Sequence, residues 1–170
     1  IVAACKLKSG MSVGDVGAGT GLFTRLFAQE VGENGKVYAV DIADKFLKHI
    51  EVTCKDSGIN NVATVKCTQD SCELGANTID LAFICDTYHH FEFPQKTMST
   101  IHRALKADGR LVLIDFERIE GKSTEFVLGH VRAGREVFEK EIVDAGFKRI
   151  EQVEGILKEN YLLIFERISK

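Results

Sequence analysis

Two groups of residues in this 170-residue chain have the types and spacing to do chemistry. One is a glycine loop, Gly17-Ala18-Gly19-Thr20-Gly21, with Asp15 just ahead of it; the other is the run Asp86-Thr87-Tyr88-His89-His90-Phe91. Closely spaced glycines let a backbone approach a ligand and turn tightly into a helix, whose N-terminus favours a carboxylate or phosphate. An imidazole titrates near neutrality, so His89 or His90 could serve as a base or orient an acceptor, with Tyr88 lining the same pocket. Each of the three could equally pack beneath its loop and bond backbone. Asp41, Asp70 and Asp115 stand near the ends of apolar runs, where a carboxylate can accept from ligand hydroxyls or amines.

Several chemistries fail on spacing. A phosphate-binding P-loop ends in Gly-Lys-Ser/Thr, whereas Gly21 is followed by Leu22 and Phe23. A dinucleotide fingerprint of the GxGxxG kind would put its third glycine on Leu22. A metal at His89-His90 needs a third ligand, and His49, His102 and His130 stand at no short ligand spacing from the pair, so no metal is expected. Asp115 and Glu117 could face an acceptor, and His130-Val131-Arg132-Ala133 could bring a cation to an acidic one, although a solvated loop explains both.

The elements that must position these residues alternate along the chain. Ser12 to Val16 reads as a strand, followed by a helix with Leu22, Phe23, Leu26, Phe27 and Val31 on one face and a stop at Gly32. Val37 to Asp41 is a second strand, Phe46, Leu47, Ile50 and Cys54 mark a helical stripe stopped by Gly58, and Val62 to Cys67 is a third strand. Ile79 to Cys85 and Arg110 to Phe116 are strands four and five, separated by a helix from Gln95 to Lys106 and a turn at Asp108-Gly109. Residues 117 to 133 read as a long loop, a candidate lid. A helix from about Gly134 to Ala145 leads to strands at Lys148 to Val153 and Tyr161 to Arg167, whose short link demands antiparallel pairing. The class is α/β with helices on both faces of a mostly parallel sheet.

Composition narrows the partners. A formal charge of -3 gives no overall basic surface, so no nucleic acid is expected, and no apolar run is long enough to span a bilayer. Five cysteines without a CxxC pair suit reduced thiols and a cytoplasmic protein. A small-molecule substrate is the default; oligomeric state is unread.

The GxGxG spacing with an acid two residues before it resembles motif I of class I S-adenosylmethionine-dependent methyltransferases. The acids agree: Asp41 lies 22 residues beyond Gly19, and Asp70 follows the third strand. Tyr88 to Phe91, with the stretch from Ile101 to Leu111, resembles the type 11 branch, Ala107-Asp108-Gly109 standing where that branch has Pro-Gly-Gly. The resemblance implies one methyltransferase domain over residues 1–170, without an N-terminal helical cap. It also implies a Rossmann-like seven-stranded sheet of order 3-2-1-4-5-7-6 with an antiparallel final strand. The implied cofactor is S-adenosylmethionine, leaving as S-adenosylhomocysteine. Asp15 would lie near its amino group, Gly17, Ala18, Gly19 and Gly21 along the methionine and ribose, Asp41 on the ribose and Ile42 on the adenine face. Asp70 and the Ser71 backbone would meet the adenine edge, and the Cys85 backbone the amino group. The Asn/Asp-Pro-Pro-Tyr and Pro-Cys signatures of nucleic-acid enzymes are missing, which leaves a small-molecule acceptor. The alternatives are a non-catalytic module binding the same cofactor or a partner, and an NAD-dependent oxidoreductase.

Overall fold

A computed structural model describes residues 1–168. Seven strands form one sheet in the order β3-β2-β1-β4-β5-β7-β6. They are β1 (Ser12–Val16), β2 (Lys36–Asp41), β3 (Val62–Lys66), β4 (Ile79–Cys85), β5 (Leu105–Phe116), β6 (Phe147–Val153) and β7 (Asn160–Arg167). Pairing is parallel from β3 through β5, while β7 runs antiparallel to both β5 and β6. Five helices connect the strands: α1 (Leu22–Val31), α2 (Asp44–Asp56), α3 (Pro94–Ala104), α4 (Glu125–His130) and α5 (Arg135–Asp144).

Strands β4, β5 and β7 carry continuous apolar runs, Leu81 to Cys85, Leu111 to Ile114 and Tyr161 to Phe165, because both of their faces are covered. Side chains alternate across the sheet. Ala82, Ile84, Leu111, Leu113 and Leu163 join Met98 and Ile101 of α3 and Phe138 and Ile142 of α5. Leu81, Phe83, Val112, Ile114 and Ile164 join Phe27 and Val31 of α1 on the opposite face. Phe23, Phe27 and Phe83 pack there with ring centroids 4.8 to 5.9 Å apart.

Three local expectations change. Leu22 and Leu26 are exposed, and α1 buries Thr24, Phe27, Ala28 and Val31 instead, the face on which Thr24 meets Asp15 of β1 and Phe27 meets Phe83 of β4. Leu105 already pairs with Ile79, and the next pairing is Arg110 with Leu81, so the Asp108-Gly109 turn is absorbed into an irregularity of a longer β5. The stretch 117–133 contains α4, capped where the Thr124 hydroxyl accepts from the Val127 N–H at 3.3 Å.

Strand order reverses between β1 and β4, so the crevice beyond their carboxyl ends is the place where an open α/β sheet takes a ligand. The glycine loop leaves β1 and residues 86–91 leave β4 on the two sides of that crevice.

Candidate cofactor cleft and histidine cluster

Gly17, Gly19 and Gly21 all have positive φ, 78°, 53° and 75°, which L side chains rarely adopt. A Cβ on Gly17 would lie 2.3 Å from Thr87 Cγ2, so this glycine lets the β1 and β4 loops touch. A Cβ on Gly21 would lie 2.6 Å from Ile50 Cγ1, which locks the start of α1 against α2. Gly19 has nothing within 4 Å and borders the cleft, leaving its backbone open to a ligand. The Gly17 and Ala18 amides donate to the Val40 carbonyl at 2.8 and 3.1 Å, tying the loop to β2.

Asp41 closes β2 beneath that loop. Its Oδ2 accepts from the Gly19 N–H at 2.9 Å and its Oδ1 from the Ala43 N–H at 2.8 Å. Each carboxylate oxygen keeps a lone pair for the cleft, the arrangement needed to receive two vicinal hydroxyls. The cleft holds about 380 Å³, the size of a small-ligand site, and runs from Gly17 and Gly19 past Asp41 and Ile42 to Ser71, Thr87 and His90. Phe46, Cys67 and Phe91 give it an apolar wall, as a planar base requires. Phe46 and Cys67 carry no motif signal, Phe46 belonging to a stripe that reads as core, while Thr87 and Phe91 lie in the 86–91 run without a role of their own there.

Asp15 lies behind the loop rather than in the cleft wall and accepts from the Thr24 hydroxyl at 2.5 Å. Burial pushes its carboxyl up from 3.8 to about 6, against the lowering effect of that hydrogen bond. Because the folded value is raised, the group favours folding fully below pH 3.8, and this contribution is lost as pH rises through about 6. Asp15→Asn is therefore expected to leave stability nearly unchanged at pH 4 and to raise it by about 1 to 3 kcal/mol at pH 8 without cofactor. Thermal melts of the two proteins across that range check it; a difference that does not grow with pH would refute the assignment.

Asp70 sits outside the cleft wall, its side chain half exposed, taking a hydrogen bond from Thr68 and lying 3.5 Å from Lys96. Ser71 is the residue of that turn that borders the cleft. The Cys85 carbonyl accepts from the Thr87 hydroxyl at 2.9 Å, and burial pushes its thiol up. Tyr88 is fully buried between Phe91 and Phe138, with the Arg132 guanidinium 5.6 Å from its ring centre, so its side chain packs under the loop away from the cleft.

The two histidines differ. His89 is buried, and its Nδ1 lies 2.7 Å from Oδ1 of Asp115, whose Oδ2 accepts from the His89 backbone N–H at 3.1 Å. His90 borders the cleft, and burial, with His89 and His130 alongside, holds its imidazole below the ordinary value. His130, at the end of α4, packs against both, with ring centroids 5.1 and 4.9 Å away. The third imidazole that chain spacing did not supply is thus delivered by the 117–133 segment. Arg132 anchors that segment through a paired contact with Glu141 at 2.8 and 2.7 Å, and Arg135 contacts Glu117 at 3.3 Å.

A sheet of this order, with a glycine loop after β1 and a carboxylate at the tip of β2, defines the Rossmann-like class that binds adenosyl cofactors. The chain belongs to the methyltransferase domain family, which it matches over residues 7–167. An S-adenosylmethionine-dependent methyltransferase from Aquifex aeolicus superposes with a TM-score of 0.89 at 26% identity, covering 98% of this chain and 87% of that one. The C-methyltransferase UbiE of ubiquinone and menaquinone biosynthesis from Klebsiella pneumoniae is 31% identical over 113 residues, 66% of this chain and 45% of UbiE. The match therefore spans about half the length of that curated relative. The cyclase SpnF shares the fold alone, with a TM-score of 0.84 at 15% identity, covering 99% of this chain and 79% of SpnF. The cofactor of this family and fold is S-adenosylmethionine. Among the described residues no helix is long and apolar enough to cross a membrane.

Proposed function

We propose that this domain transfers the methyl group of S-adenosylmethionine to a small-molecule acceptor. The observation that carries the reading is the joint placement of Gly19 and Asp41 on one cleft, with the loop amide held by the carboxylate that a ribose would approach. The residues fit the group: three positive-φ glycines clear the backbone, and Gly19 leaves open the space that a Cβ would fill.

The cofactor supplies a methyl carbon bonded to a positive sulfur, whose bonding pair returns to sulfur when an acceptor lone pair attacks. The protein's task is to bind, align and exclude water. Gly17, Ala18, Gly19 and Gly21 carry the methionine and ribose portion, Asp41 accepts from the ribose hydroxyls, and Ile42 covers one adenine face. Ser71 offers backbone to the adenine edge, with Asp70 on the same turn. Asp15 and the Cys85 carbonyl lie on the two strands flanking the amino-group position. His90 borders the space beyond the cofactor and can take the acceptor's proton, while His89, held by Asp115, fixes the loop on which His90 sits. Tyr88 supports that loop by packing. The five free cysteines suit the reducing cytoplasm that the proposal takes as the setting.

Asp41→Ala is expected to weaken S-adenosylhomocysteine binding by about 1.5 to 3 kcal/mol, roughly 10- to 150-fold, through lost charged hydrogen bonds. Calorimetric titration of the two proteins measures it. Equal affinities would remove Asp41 from the site.

A further inference from the structure

One nitrogen each from His89, His90 and His130 can be chosen so that all lie within 4.8 Å of one another. Ligand nitrogens around a tetrahedral zinc-class ion, each about 2.0 to 2.1 Å from the metal, stand roughly 3.3 Å apart, so the set must close by up to about 1.5 Å to hold an ion. Two of the three rings are exposed, which leaves an ion a way in.

The surroundings are those of a ligand set rather than a chance cluster. A carboxylate oxygen accepts, so Asp115 fixes the proton of His89 on Nδ1 and leaves Nε2 as the donor to a metal, the carboxylate–histidine arrangement found behind metal ligands. Asp115 is fully buried and also takes the His89 and Phe116 backbone N–H groups, so it cannot swing away. Phe126 stacks on the His130 ring at 5.0 Å between centroids and 20° between planes, which sets that ring's orientation.

We propose that His89, His90 and His130 bind one divalent cation of the zinc, cobalt or nickel class, with Asp115 orienting His89 from behind. Three nitrogen ligands leave at least one exchangeable position, as in catalytic rather than structural zinc sites. His90 belongs both to the cluster and to the cofactor cleft, so the ion sits at the cleft's edge. There it can take water or the hydroxyl or thiol of an acceptor. With the ion bound, His90 is a ligand rather than the base, and coordination instead lowers the pKa of such a group and releases its proton to solvent, which prepares a lone pair for attack. This last role rests on the proposed methyl transfer; the metal site itself does not.

The test uses the full chain without an affinity tag, freed of metal by chelation and kept reduced. Titration with zinc is expected to show one ion per chain with a dissociation constant in the micromolar range or tighter. Cobalt is expected to give the visible bands of a four- or five-coordinate nitrogen site. His130→Ala should weaken binding at least 100-fold while leaving the melting temperature and S-adenosylhomocysteine affinity unchanged, since His130 is exposed and outside the cleft wall. Asp115→Asn should weaken it about 10- to 100-fold. His49→Ala, on the exposed side of α2, should change nothing. Equal zinc binding by wild type and His130→Ala, or an intense cobalt–thiolate band placing the ion on cysteines, would overturn the site. Loss of S-adenosylhomocysteine binding by the wild type with zinc binding intact would overturn the methyltransferase reading alone.

Discussion

Gly17→Val is expected to lose affinity for S-adenosylmethionine and S-adenosylhomocysteine by at least about 100-fold, the largest effect of any single change in the cleft, as a 2.7 kcal/mol or greater penalty would produce. Two independent costs combine. A φ of 78° at a β-branched residue forces the left-handed region on a side chain that resists it, at about 1 to 2 kcal/mol. The added Cβ would also stand 2.3 Å from Thr87 Cγ2 and 2.5 Å from Thr87 Oγ1, so the β4 loop must move. Moving it breaks the Thr87 hydrogen bond to the Cys85 carbonyl and shifts the loop that carries His89 and His90. Gly19→Ala separates the two costs. Its Cβ meets no protein atom within 4 Å, so folding loses only the backbone term, yet the methyl group enters the cleft. Titrations and melts of both variants check this: Gly17→Val should fall in stability and affinity, Gly19→Ala mainly in affinity. An alanine at position 19 that binds like wild type would show that the ligand does not approach the loop there.

Asp115→Ala should cost about 3 to 5 kcal/mol of stability, the largest loss expected from a polar side chain in this fold. The carboxylate is wholly buried and satisfies the His89 ring, the His89 amide and the Phe116 amide. Truncation leaves buried donors unpaired, each worth about 1 to 3 kcal/mol. In a chain of 170 residues this corresponds to a fall in melting temperature of roughly 6 to 20 °C. Denaturant unfolding of the variant measures it directly. A change below about 0.5 kcal/mol would mean that Asp115 does not hold the histidine loop, and the metal site would lose its support from behind.

The sheet was readable because its central strands are covered on both faces. Leu81 to Cys85 is a continuous apolar run, and Ser12–Val16 leads straight into the glycine loop; β4 and β1 fall where these signals do. The start of β5 was not readable, since Leu105 satisfies a helical stripe equally well and only its pairing with Ile79 decides the matter. The same limit applies to α1, where Leu22 and Leu26 fit an apolar face that the fold leaves exposed. Positions at strand ends follow from the chain, as Asp41 on the cleft wall illustrates. Side-chain direction does not, and Asp70 turns toward Thr68 and Lys96 while its neighbour Ser71 borders the cleft. His130 lies 40 residues beyond His90, so no ligand spacing connects them. Its one local signal was Thr124 capping a short helix inside what reads as a loop.

The central claim is that the glycine loop and Asp41 hold an adenosyl sulfonium cofactor. Calorimetric titration of the purified chain with S-adenosylmethionine, S-adenosylhomocysteine and NAD tests it in one experiment. Binding of both adenosyl ligands at one site per chain, with no heat from NAD, is the expected result. Saturable binding of NAD with neither adenosyl ligand bound would contradict it.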